Sequence, residues 1–272
     1  MNQRTFSVGL LALLCCVATI RSGQSEDLKA RNVLEYPAAT IREEQDVVVD
    51  AVTETWRLLW KALPKPYCGA SQGDAVTCPC MGFAYGESGD LYLVRLRHQT
   101  EIDRLHLTPF FEEEEKATVQ RWPEEKRDLK LAERKDLVGL VGKRPTVQVM
   151  HLEDYDHDGR QTEFYLQTEA APCGKSMGVV IGLSTNNGRL HAFSALSNPS
   201  KALILQRRVW RALRDASTGT VKMVDWLCGD HGADTQTEIE LQWSAKGIDG
   251  KRFEYSCPAH NESRALVSEG SL

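Results

Sequence analysis

Apolar residues recur along the chain with two periods, and the change from one to the other organises it. From Thr40 onward Ile41, Val48, Val49, Val52, Trp56, Leu59 and Leu63 fall at helical spacing, ahead of Pro64 and Pro66, which end a helix. Thr40-Ile41-Arg42-Glu43 has the Thr-x-x-Glu spacing of a capping box, in which hydroxyl and carboxylate satisfy orphan amides at a helix start. An N-terminal amphipathic helix is therefore expected. Leu91 to Leu96 reads as a strand, with Ile102 to Leu107 as its hairpin partner. From Pro145 onward the period is mostly two.

Val147 to Leu152 and Phe164 to Gln167 alternate, whereas Gly178 to Leu183 is continuously apolar, the mark of a strand covered on both faces. Asn186-Asn187-Gly188 supplies the positive φ angles of a tight hairpin turn before Arg189 to Ala195. Asn198-Pro199 is a cap followed by proline at the first helical position, which predicts a second helix through Leu213. Thr220 to Leu227, Thr235 to Trp243 and Lys251 to Tyr255 complete the strands. In the second of these, Ile239 and Leu241 share one face while Glu238 and Glu240 share the other, so one sheet face is wet. The fold class expected is α+β: a mostly antiparallel β-sheet in the C-terminal half, an N-terminal amphipathic helix, one or two further helices, and disulfide stabilisation.

The termini and one insertion stand apart from this frame. Arg4 precedes the apolar run Ser7 to Ile20 and the small, polar stretch Arg21 to Ser25, which fits a secretory signal peptide cleaved near Gly23 or Ser25. The run is too short to cross a bilayer of about 30 Å comfortably, although an N-terminally membrane-anchored envelope protein is the alternative. The expected organisation is a signal peptide at 1–25, a flexible lead-in at 26–39, a single domain at 40–257 and a disordered tail at 258–272. A charged helical insertion is expected at about 112–142, beginning with four consecutive glutamates from Glu112.

Composition is that of an average soluble chain, with 42% hydrophobic and 26% charged residues among 272. Removal of Arg4 and Arg21 with the leader leaves 31 of the 33 basic residues against 38 acidic ones, a net charge of −7. That balance argues against nucleic acid as a partner, and the mature form is expected to have no membrane span. Cys15 and Cys16 also leave, so six of the eight cysteines remain: Cys68, Cys78, Cys80, Cys173, Cys228 and Cys257. An even number bound for an oxidising compartment points to disulfides. Cys78-Pro79-Cys80 is one residue too tight for an ordinary zinc knuckle. Cys228 with Cys257 is the pairing expected, because both end predicted strands of one sheet. Asn261-Glu262-Ser263 is a glycosylation sequon, relevant in a eukaryotic host.

Chemistry concentrates in Asp154-Tyr155-Asp156-His157-Asp158-Gly159-Arg160-Gln161-Thr162-Glu163, between two predicted strands. Carboxylates at alternate positions followed by glycine let a tight loop wrap oxygens around one hard cation, and calcium takes six to eight of them at about 2.3–2.6 Å. Asp154, Asp156 and Asp158 are the expected ligands, with the Arg160 carbonyl as a backbone ligand and Glu163 closing the site. Without a cation, carboxylates packed this closely repel one another. The Asp-x-Asp-x-Asp-Gly run between strands resembles the calcium loop of the integrin-type FG-GAP or VCBS repeats. In those repeats the closing acid comes at the ninth position; here that place is Thr162 and the acid follows as Glu163. An EF-hand carries its bidentate glutamate at the twelfth position, here Tyr165, and is flanked by helices. The motif occurs once, so the resemblance implies a calcium-loop hairpin and not a propeller.

No His-Glu-x-x-His, Gly-x-Ser-x-Gly or dinucleotide fingerprint is present. Asp230-His231, in a loop after Cys228, is the nearest approach to a general base and its orienting partner. With no nucleophile motif beside it, no catalytic residue is assigned. The function expected is a secreted or periplasmic calcium-binding structural or binding module for a protein or carbohydrate ligand. An extracytoplasmic hydrolase with a site near His231 and His191 is the alternative.

Overall fold

The structure, a computed structural model, describes residues 39–67, 86–111, 115–120, 147–171, 175–185, 187–217, 219–244, 246–258 and 263–272. It is a mostly β protein with several antiparallel sheets and one α-helix among the described residues, which corrects the expected α+β class. The first sheet has the order β1 (Thr40–Val49), β2 (Val52–Trp60), β5 (Leu91–Arg97), β6 (Thr100–His106). Beside it lies a small sheet of β3 (Lys65–Tyr67), β4 (Gly86–Gly89) and β7 (Ala117–Val119). In the third sheet β9 (Lys175–Ser184) pairs with β8 (Glu163–Ala171), β10 (Asn187–Ala192) and β13 (Leu205–Gln206). The fourth runs β12 (Asn198–Ala202), β11 (Ser194–Ala195), β16 (Gly247–Ser256), β15 (Thr235–Ser244), β14 (Thr220–Trp226), with β17 (Leu266–Ser271) also on β16. The helix is α1 (Arg207–Asp215). Among the described residues no helix is long and apolar enough to cross a membrane.

The β8–β9 hairpin separates two cores. Phe164, Leu166, Val179 and Ile181 point into one, with Trp56, Leu58, Trp60 and Leu93 of the first sheet. Tyr165 and Val180, at the intervening positions, point into the other, with Trp210 and Leu213 of α1 and with Ile239 and Leu241 of β15. Strict alternation delivers successive side chains to opposite faces. Each core shields one side of the hairpin, as the unbroken apolar run from Gly178 to Leu183 predicts.

The expected N-terminal helix is instead the β1–β2 hairpin. Val47 and Val49 are buried on β1, and Glu54, Trp56, Leu58 and Trp60 on β2, a period of two that continues through the charged Glu54. The turn is Asp50-Ala51, with φ of 49° and 64°, in place of the usual Asn-Gly or Asp-Gly. The expected helix from Asn198 is corrected as well: Asn198-Pro199 opens the edge strand β12, where a missing N–H does no harm, and the helix begins at Arg207. Val147 to Leu152 forms no ladder. Glu43 accepts hydrogen bonds from the amides of Val149 (2.7 Å) and Met150 (3.1 Å), and Gln45 Nε2 donates to the Met150 carbonyl at 2.8 Å, so side chains of β1 replace a partner strand.

The tail is ordered where described, because β17 pairs with Lys251–Tyr255 of β16. In the expected charged insertion the described part is Glu115–Gln120, which contains β7 and no helix. Cys228 and Cys257 form a disulfide with Cα atoms 5.5 Å apart, as expected, and join the end of β14 to the end of β16. The expected signal peptide, residues 26–38 of the lead-in, the rest of the insertion, Cys68, Cys78, Cys80, Cys173 and Asn261 lie outside the described residues.

Candidate metal centre

The loop from Asp154 to Glu163 leads into β8 and is closed at its base by a bridge between Glu153 and Glu163. The Glu153 amide donates to the Glu163 carbonyl at 2.8 Å, and the reverse bond measures 3.2 Å. Gly159 has φ +87° with nothing within 4 Å of a would-be Cβ, so glycine is favoured there by backbone conformation and not by lack of space. At the other end, a Cβ on Gly182 would stand 2.9 Å from Glu163 Cγ and 2.2 Å from the Thr162 carbonyl. A side chain at residue 182 would push the closing glutamate out of place.

Three of the expected ligands converge. Carboxylate oxygens of Asp154, Asp156 and Glu163 lie within 4.8 Å of one another, and this group can hold a metal ion. Asp156 is 5% exposed and Glu163 is fully buried. Their hydrogen bonds come from neutral donors: the Tyr155 amide to Glu163 Oε2 at 2.9 Å, the Thr162 hydroxyl to Glu163, the Asp158 amide to Asp156 Oδ1 at 3.1 Å, and the Gly159 amide to Asp154 Oδ2 at 2.9 Å. Among the described residues none of the three carboxylates has a Lys or Arg partner; Arg160 and Arg214, the nearby guanidinium groups, pair with Asp50, Asp158, Glu153 and Asp215.

Asp158 stands apart from this cluster. Its Oδ2 accepts Arg160 Nε at 2.8 Å and Nη2 at 2.5 Å, with the Thr185 hydroxyl at 3.1 Å. Arg160 Nη1 reaches Asp50 in the β1–β2 turn at 3.1 Å, so the loop is tied to the first sheet. On its other side His157 Nε2 donates to the Leu213 carbonyl at 3.0 Å, and Arg214 pairs with Glu153 at 2.5 Å, which fastens the loop to α1.

Charge state follows from these partners. Burial, with the negative Asp158 and Asp154 nearby, pushes Asp156 up to about 6. Burial pushes Glu163 up to about 8, against the hydrogen bonds from Thr162 and Tyr155. Burial acts on Asp158 too, but its hydrogen bonds with Arg160 win and hold that carboxyl below the usual range. Among the described residues these two carboxylates of the cluster thus have no positive partner to favour their ionised forms.

Thr162 donates to Glu163 of the cluster, Thr185 to Asp158 and Asp50 anchors Arg160, yet none of the three carried a metal-binding signal in the sequence. Thr185 and Asp50 reach the loop only through chain folding. His191 donates from Nδ1 to the Arg189 carbonyl at 3.0 Å and stacks on Phe193 with ring centroids 4.9 Å apart. His231 lies in the one-turn helix Asp230–Gly232, and its side chain is outside the described part of the structure. Comparison of the chain with protein-family models, with curated proteins and with solved structures returns no match.

Proposed function

We propose that the protein is a secreted or periplasmic binding module in which a calcium ion, held by Asp154, Asp156 and Glu163, locks the loop before β8 against the first sheet and α1. The convergence of three carboxylates with no cationic side chain paired to them among the described residues carries this reading. Calcium suits it best because the donors are all hard oxygens on a loop, and calcium accepts irregular shells of six to eight oxygens where magnesium demands a near-ideal octahedron. The Arg160 carbonyl, backbone oxygens and water supply the remaining positions. The FG-GAP-like spacing points the same way, although Asp158 serves here as the anchor of Arg160. An oxidising compartment agrees with the Cys228–Cys257 bridge.

The ion acts structurally: it binds the folded loop and not the unfolded chain, so it stabilises by mass action, about 2.7 kcal/mol at a free concentration a hundredfold above Kd. Thermal unfolding of the full chain in EDTA and in millimolar calcium tests this. A higher melting temperature with calcium is expected, and Asp156→Ala removes the response. Superimposable melting curves with and without calcium overturn the proposal.

A further inference from the structure

A cleft of about 200 Å³ opens beside the metal loop, between the β9–β10 turn and the β15–β16 turn. His191, Phe193 and Trp243 give it aromatic lining: Phe193 and Trp243 have ring centroids 5.7 Å apart at 47°, and Phe193 stacks on His191. Phe193 is buried behind, while His191 and Trp243 are half-buried and keep ring surface open to the cleft. Ser184, Ser194 and Asp156 add hydroxyls and a carboxylate to the same lining, and Lys246, exposed to solvent, adds an ammonium group to it. Small-molecule sites combine apolar and aromatic walls with a few placed polar groups, and this cleft falls below the roughly 300 Å³ at which drug-sized pockets begin.

We propose that this cleft binds a neutral polyhydroxylated ligand of the size of one sugar ring. A pyranose has an apolar C–H face that covers an aromatic ring and a rim of hydroxyls that both donate and accept hydrogen bonds, which matches an aromatic wall interleaved with serines. The choice of a neutral ligand rests on the calcium reading. An aromatic pocket with a free carboxylate suits an ammonium cation, but an ion on Asp156 cancels that attraction and the Lys246 ammonium in the lining repels such a ligand. The same ion brings a hard cation to the edge of the cleft, and vicinal hydroxyls are hard oxygen donors of the kind calcium accepts.

Saturation-transfer NMR on the full chain, with methyl glycosides of glucose, galactose, mannose and N-acetylglucosamine as probes and choline as comparator, tests the proposal. In millimolar calcium, saturable transfer to at least one glycoside is expected. Trp243→Ala weakens it by about tenfold or more while the calcium-dependent melting shift persists. Ser194→Leu, which fills the cleft and leaves Trp243 in place, gives the same loss should Trp243→Ala fail to fold. Asp154 does not line the cleft, so Asp154→Asn removes the ion without altering the aromatic wall. Absence of transfer to every glycoside from a protein that still responds to calcium overturns the sugar site and leaves the metal site standing. Transfer to choline alone, in a protein that shows no calcium response, overturns both.

Discussion

Glu54 and Glu163 are both buried glutamates on strands, with 1% and 0% of their surface exposed, yet the protein treats their charge in opposite ways. Glu54, on β2, receives Arg95 through Nε at 2.8 Å and Nη2 at 3.0 Å, Arg97 at 2.8 Å, and the Trp56 indole N–H at 3.2 Å. Burial raises its pKa, but these partners outweigh it and hold the carboxyl below the ordinary glutamate range. Arg95 extends the network by donating to the Gly188 carbonyl at 2.8 Å, and the adjacent Asp103 accepts the Leu190 amide at 2.6 Å, so the first sheet is joined to β10. Among the described residues Glu163 has only neutral donors, and burial leaves it at about 8. A buried carboxylate whose cation is built into the chain is a structural joint. One with no cationic partner among the described residues is a place that can hold a metal ion.

Mutation of each glutamate breaks the comparison most sharply at Glu54. Glu54→Gln leaves Arg95 buried without its main counter-charge, and loss of one partner of a buried pair costs about 3–5 kcal/mol. Urea unfolding should show that loss equally in EDTA and in calcium; a change under about 1 kcal/mol contradicts the assigned role.

The second effect is in pH. A carboxyl whose folded pKa is raised binds its proton more tightly in the native state, so stability falls as pH rises from the ordinary glutamate value of about 4.3 towards the folded value of about 8. Asp156, raised to about 6, adds to this with the same sign. In EDTA the melting temperature is therefore expected to decline from pH 5 to pH 8, by up to about 1.4 kcal/mol of stability per pH unit for one group. On the proposed calcium reading, saturating calcium favours the ionised carboxylates and is expected to flatten or reverse the slope. Glu163→Gln removes most of the decline and the calcium response together. Glu54 works in the other direction: its stabilisation is lost as pH falls through its lowered pKa. A metal-free profile that rises from pH 5 to pH 8 contradicts the charge state assigned to Glu163.

The smallest effect sharpens the contrast from the backbone. Gly159→Ala meets no steric obstacle, so its penalty is the left-handed conformation alone, about 1 kcal/mol. Chemical denaturation of this variant should show that loss, with the contribution of Glu54 unchanged; a penalty several times larger points to contacts at residue 159 that the loop does not have.

Legibility of the fold followed the uniqueness of the local pattern. The strand at Thr235–Ser244, the Lys251–Tyr255 part of β16 and the two-faced β9 were visible from alternation, strand-forming residues or an unbroken apolar run. The β1–β2 hairpin was not. Its helical stripe skipped the buried Val47, Leu58 and Trp60, its buried set includes Glu54, and Asp50-Ala51 is a weak turn signal. Helical spacing and period two share enough positions over twenty residues that only the Arg95 and Arg97 partners, distant in sequence, explain why Glu54 is inside.

By itself the sequence determined the acidic loop, its glycine, the apolar run Ser7 to Ile20 and the positions of the eight cysteines, because these are local in spacing or composition. Tertiary structure decided which carboxylates converge, that Asp158 turns away to Arg160, that Gly182 makes room for Glu163, and that an aromatic cleft adjoins the loop. Those outcomes depend on burial and on partners brought from β1, β9, α1 and β15, and the desolvation and charge pairing that set each group's role exist only once these elements have packed together.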